Sequence, residues 1–179
     1  MSILVLTEGP TDRGAIRSVA KRLGIKVRVS LMLGNRVEKL KGTIIGLAAY
    51  HDKFIVLKDL HTYQEDAINR RYGAVLKELD TYLKKKARLV IVRHAIEAWF
   101  LADINALNRT FNCRIEREIP NPEGIKDPAK KLNEILEGYG KRYYKSEEIG
   151  KKIMMEADLD KIAEKSSSFK RFLNYLTDP

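Results

Sequence analysis

Short apolar runs alternate along the first half of the chain with longer stretches whose apolar residues recur every three or four positions. Ile3 to Leu6 is a continuous apolar run closed by Glu8, Gly9 and Pro10, the pattern of a strand buried on both faces. Ile16, Val19, Ala20 and Leu23 follow at helical spacing, with Arg13, Arg17 and Lys21 on a neighbouring stripe. Lys26 to Leu33 alternates apolar and polar residues and predicts a strand nearer the sheet edge. Asn35 and Glu38 have capping-box spacing and open a helix through about Tyr50, with Val37, Leu40, Ile44 and Leu47 on its apolar face. Phe54 to Leu57 predicts a third strand. One long helix is expected from Glu65 to Lys85, with Ile68, Tyr72, Val75, Leu76, Leu79, Tyr82 and Leu83 inward, then a fourth strand from Leu89 to Val92.

The first 93 residues thus alternate strand and helix, which implies a mostly parallel four-stranded sheet flanked by helices. The carboxyl edge of such a sheet is where ligands bind. Gly9 suits a tight turn there. Two acids fall at strand ends, Glu8 after the first and Asp59 after the third. If those strands are neighbours, two hard oxygen ligands stand side by side, a donor set suited to Mg²⁺. Asp12 lies at the mouth of the first helix, where an acid also serves as a cap.

Glu8-Gly9-x-x-Asp12 after a first strand, then Asp59-x-His61 after a third, resembles the TOPRIM fold shared by topoisomerases, bacterial primases and OLD-type nucleases. The resemblance implies that Glu8 and Asp59 are catalytic and metal-binding. The family pattern has an acid where this chain has His61. Histidine is a poor Mg²⁺ ligand and a good transition-metal one. The site is therefore weakened, or it uses Mn²⁺, or Glu65 or Asp66 supplies the charge. Ile96, Glu97, Ala98, Trp99 and Asp103 resemble a motif of an uncharacterised TOPRIM-like branch in bacteria and archaea. Asn121-Pro122, Asp127-Pro128, Tyr143 to Lys145 and Ser168-Phe169 match its tail. Glu97 is within helical reach of Arg93 and His94, either as a catalytic, metal-binding acid or as the partner that positions Arg93. Trp99 is expected in the core. Asp103 is either a helix-face acid or a support for the site.

Residues 1–107 form the expected TOPRIM-like α/β domain, and 108–179 a helical C-terminal extension packed on it. Residues 108–126 lack periodicity. Asp127 with Pro128 marks a helix start that Gly138 ends, and two short amphipathic helices finish the chain.

Charge adds a direction. Net charge is +10, with 34 Lys and Arg against 24 Asp and Glu, and residues 1–60 carry eleven of the cations against five acids. A basic surface around an acidic sheet edge suits a polyanion, so DNA or RNA is the expected partner. Lys58, Arg93, Lys141, Arg142 and Lys145 are its candidate contacts, the last three among the tyrosines of Gly138 to Ser146. Lys84, Lys85 and Lys86 suit a helix C-terminus first, and Arg36, Lys39 and Lys41 suit phosphate or solvent equally. The single cysteine, Cys113, excludes an intrachain disulfide or Cys-based zinc site. No apolar run spans a membrane and no signal peptide precedes the first strand, so the expected compartment is cytoplasmic.

The function expected is metal-dependent phosphodiester hydrolysis or phosphoryl transfer of TOPRIM type on nucleic acid, with Mg²⁺ or Mn²⁺, in a nuclease-like enzyme. The alternatives are a non-catalytic nucleic-acid-binding or regulatory module with a degenerate site, and a receiver-like phosphoacceptor. The chain has no ATPase P-loop, so any energy-driven partner is a separate ATPase or other protein.

Overall fold

In the computed structural model, which describes residues 2–32 and 37–178, Ile3–Thr7 forms a fully buried strand, β1. Its turn leads into α1 (Pro10–Arg22), followed by β2 (Val27–Leu31), α2 (Val37–Leu47) and β3 (Lys53–Asp59). Then come α3 (Glu65–Lys77), α4 (Thr81–Lys86) and β4 (Ala87–Val92). The sheet order is β2-β1-β3-β4 and every pairing is parallel. The fold is α/β as expected, with β1 and β3 central and β2 at an edge.

Alternating side chains give the sheet two apolar faces. Leu4, Leu6, Phe54, Val56 and Ile91 pack with Val37, Leu40 and Ile44 of α2 and with Ile68, Tyr72, Leu79 and Leu83. Ile3, Val5, Ile55, Leu57, Val90 and Val92 pack with α1 and with residues from beyond position 95. These belong to α5 (Glu97–Ala102), α6 (Ile104–Phe111), α7 (Pro128–Glu137), α8 (Glu147–Glu156), α9 (Leu159–Lys165) and α10 (Ser167–Thr177). Trp99 is fully buried: its ring meets Phe169 at 4.9 Å and Phe172 at 5.7 Å, and its indole N–H donates to Ser168 Oγ at 2.9 Å.

Helix α8 lies directly on α1. A Cβ on Gly14 would stand 1.9 Å from the Glu147 carbonyl oxygen, and one on Gly150 would stand 2.2 Å from that of Thr11. Only glycine lets the two backbones approach so closely. This contact fixes the segment before α8, residues 138–146, near the start of α1.

The expected helix from Glu65 to Lys85 is two helices. The chain breaks after Lys77, and Asp80 caps the second by accepting from Leu83 N–H at 2.8 Å. The break turns Tyr82 into solvent, where the single-helix pattern placed it inside. The stretch from Arg93 is likewise interrupted at Asp103, which caps α6 and is buried, accepting from Asp158 N–H at 2.9 Å. Lys161 Nζ stands 3.3 Å away. Asp103 is a joint between helices. Three helices, not two, finish the chain. Asp127 caps α7 as expected, accepting from Lys130 N–H at 2.9 Å. Helix α2 ends at Leu47, short of Tyr50. The Asn35 capping position and Arg36 lie outside the described residues. Among the described residues no helix is long and apolar enough to cross a membrane.

Candidate metal centre

Because β1 and β3 are parallel neighbours, with Leu6 opposite Val56, Glu8 and Asp59 emerge together at the carboxyl edge. Glu8 Oε1 accepts from Lys58 Nζ at 2.5 Å and Oε2 from Asp59 N–H at 2.9 Å. Asp59 is buried, and no described residue donates a hydrogen bond to its carboxylate.

Two residues further on, the backbone leaves the ordinary regions. His61 has φ 47° and His94 has φ 61°, left-handed values that cost a non-glycine residue roughly 1–3 kcal/mol. They are held by reciprocal bonds: His61 N–H donates to the His94 carbonyl at 2.7 Å, and His94 Nδ1 lies 3.0 Å from the His61 carbonyl. The result turns the His61 ring back over the sheet, with Nε2 3.6 Å from Glu8 Oε2. One ligand atom from each of Glu8, Asp59 and His61 can then lie within 4.8 Å of the others. Burial lowers the His61 pKa, against the pull of Glu8, so the ring is neutral and its nitrogen is free to ligate at neutral pH.

Two further carboxylates complete the cluster. Asp12, in the first turn of α1, accepts from Gly9 N–H at 2.9 Å. Burial, with the charges of Glu97 and Glu8 behind it, pushes its pKa up to about 6. Glu97 begins α5 and is fully buried. Its Oε1 accepts from the Tyr143 hydroxyl at 2.8 Å and lies 3.1 Å from Lys145 Nζ, while its Oε2 has no partner among the described residues. Asp59 is pushed well above the carboxylate range by burial, then by Asp12, Glu8 and Glu97. Burial opposes the Lys145 ammonium, but Glu97 outweighs it and its pKa rises. Burial and Glu97 likewise raise the Tyr143 phenol.

Four acids from four elements therefore share one desolvated edge. Two of them resist ionisation, and one exposes a bare oxygen to the protein interior. Such an arrangement is unfavourable without a cation. The donors are carboxylate oxygens with one imidazole, a set that fits Mn²⁺ better than Mg²⁺.

Several sequence expectations need correcting. Glu97 pairs with neither Arg93 nor His94: Arg93 turns outward to Glu65 at 2.9 Å, because the left-handed His94 redirects the chain between them. Glu65 is thereby committed, and neither it nor Asp66 is among the acids whose charges chiefly raise the Asp12 and Asp59 pKa values. Lys58 is buried on Glu8 and does not stand open to a phosphate. Gly9 has φ −128°, a conformation any residue adopts, so the turn does not demand it. Lys145 sits at the rim, with its side chain 56% exposed. Arg142 is exposed beside Tyr144. Lys141, half-buried, makes no ion pair among the described residues. Asp12 belongs to the cluster although its helix-capping position concealed it. Its spacing from Glu8 was the signal.

Residues 7–177 match a family model described as a domain of unknown function, DUF4276. No curated protein matches the chain.

Proposed function

The chain belongs to the DUF4276 family, and from the geometry of its acidic edge we propose that it is a divalent-metal-dependent phosphodiester hydrolase of TOPRIM type acting on nucleic acid. The observation that carries this reading is the convergence of Glu8, Asp12, Asp59 and Glu97, with an unpartnered buried oxygen on Glu97. Glu8, Asp59 and His61 would hold the ion, with Asp12 and Glu97 adding charge. A bound ion there would neutralise phosphate charge and stabilise the entering and leaving oxygens. Lys145, at the rim, steadies the phosphate. Lys58 holds Glu8 in place. The Tyr143 hydroxyl and Lys145 fix one oxygen of Glu97, which leaves the other for the site.

A second reading has one observation in its favour. Both oxygens of Glu8 already have donors, Lys58 and the Asp59 N–H, which suits a site that has lost its chemistry and serves a binding or regulatory module.

The position of His61 separates the two. A nitrogen ligand favours Mn²⁺ over Mg²⁺. Wild type should cleave single- or double-stranded DNA or RNA faster with Mn²⁺, and His61→Asp should shift the preference toward Mg²⁺ by about tenfold in relative rate, roughly the effect of one changed ligand contact. Cleavage by neither protein with either metal supports the binding module. Cleavage with an unchanged metal preference removes His61 from the site.

A further inference from the structure

A small cleft opens on the α3 side of the acid cluster, about 160 Å³ in volume and walled by Lys58, Tyr63, Ala67, Ile68, Arg71 and Tyr72. Its character differs from the carboxylate edge beside it. Ala67 and Ile68 give it an aliphatic wall. Tyr72 is 3% exposed and Tyr63 is 61% exposed, so one aromatic wall is set in the core while the other stands in water. Lys58 joins the two regions: its ammonium is 2.5 Å from Glu8 Oε1 and 5.7 Å from the centre of the Tyr63 ring. Arg71 meets Glu38 at 3.4 Å, with both side chains largely exposed. Such a pair is weak in water, so the guanidinium can exchange it for a phosphate or stack on a ring.

A flat aromatic wall, an aliphatic one and the exposed Arg71 guanidinium describe a receptor for a planar ring attached to an anion. We propose that this cleft takes one unstacked nucleobase of a single-stranded nucleic acid, stacked on Tyr63, with its phosphate toward Arg71. The proposal rests on the hydrolase reading for the neighbouring site and supplies its substrate class. A base inside a duplex has both faces occupied by its neighbours and cannot enter. A base in a single strand can be splayed out onto an aromatic side chain. The cleft admits one ring, so the strand passes it one nucleotide at a time. Charge also favours a polyanion over an uncharged aromatic ligand, since residues 1–60 carry eleven Lys and Arg against five acids.

The test uses the full chain in EDTA at low salt. The probes are an oligonucleotide carrying 2-aminopurine and its blunt duplex. Tyr63→Ala should lose about tenfold in single-strand affinity, the loss expected of one base stack, together with the quenching of the probe base. Tyr63→Phe should retain both. Tyr82 is a control, because it is equally exposed and pairs with Lys86 (4.0 Å from ammonium to ring centre) on α4, at the opposite edge of the sheet. Tyr82→Ala should bind like wild type. Equal affinity in wild type and Tyr63→Ala, or duplex bound as tightly as single strand, overturns the proposal. A parallel Mn²⁺ cleavage assay at saturating oligonucleotide keeps the two readings apart. If wild type cleaves and Tyr63→Ala binds undiminished, the base cleft falls and the hydrolase stands. If Tyr63→Ala binds tenfold more weakly and no protein cleaves, the cleft stands and the hydrolase falls.

Discussion

Asp59→Asn should lose metal-dependent cleavage by at least about a hundredfold, the scale seen when transition-state charge stabilisation is removed, and should at the same time stabilise the metal-free protein. The two effects share one cause. The Asp59 carboxylate is buried among Asp12, Glu8 and Glu97, and its pKa stands well above the ordinary value. In the absence of a cation the fold carries the cost of ionising it at neutral pH. An amide has nearly the same shape and no charge, so the substitution removes that cost together with the proposed metal ligand. Urea denaturation in EDTA at pH 8 should show a gain on the order of 1–2 kcal/mol, within the range of favourable single substitutions. A purely structural aspartate gives the opposite result, with destabilisation and no special effect on metal binding.

The second large effect concerns pH. Asp12 has its folded pKa raised to about 6 from an ordinary value of 3.8. For an acid shifted upward, the folded state holds its proton more tightly than the unfolded chain between those values. Its contribution to stability is present in full below 3.8 and is lost as pH rises through 6. The loss is on the order of 3 kcal/mol for Asp12, and Asp59 adds to it in the same direction. His51 and His61, whose pKa values burial lowers, act oppositely around 6.5. A comparison with Asp12→Asn isolates the acid's part. In EDTA, the stability advantage of Asp12→Asn over wild type should grow from pH 5 to pH 8. Added Mn²⁺ should reverse the trend, because the ligands must shed protons to bind it. At a free concentration of a hundred times Kd the ion contributes about 2.7 kcal/mol, and Kd should tighten as pH rises. Parallel pH profiles for the two proteins in EDTA would remove Asp12 from the cluster.

What the sequence disclosed and what it concealed follow physical lines. Apolar runs marked β1, β3 and β4 because strands buried on both faces need no periodicity to be recognised, and the acids at the ends of β1 and β3 came with them. Asp127-Pro128 announced α7 because its signal is local. The break between α3 and α4 has no glycine or proline. It depends on Asp80 accepting from the Leu83 N–H, and the helical spacing runs past it unchanged. The partners of Glu97 were out of local reach: Tyr143 and Lys145 arrive from 46 and 48 positions away, carried there by the contact of Gly14 and Gly150. The outward turn of Arg93 could not be foreseen, because it depends on a left-handed conformation that histidine rarely adopts. Asp12 offered two sufficient explanations, cap and site, and in the fold it accepts from the Gly9 N–H while the charges of Glu97 and Glu8 act on it.

Everything proposed for this edge requires that Glu8, Asp59 and His61 form one cation site. Crystals soaked in Mn²⁺, with data collected at the manganese absorption edge, test it most directly. One strong anomalous peak should appear in contact with Glu8, Asp59 and His61, lost in crystals of Asp59→Asn. An empty edge in soaked crystals, with Glu8 still held by Lys58 and the Asp59 N–H, would contradict it.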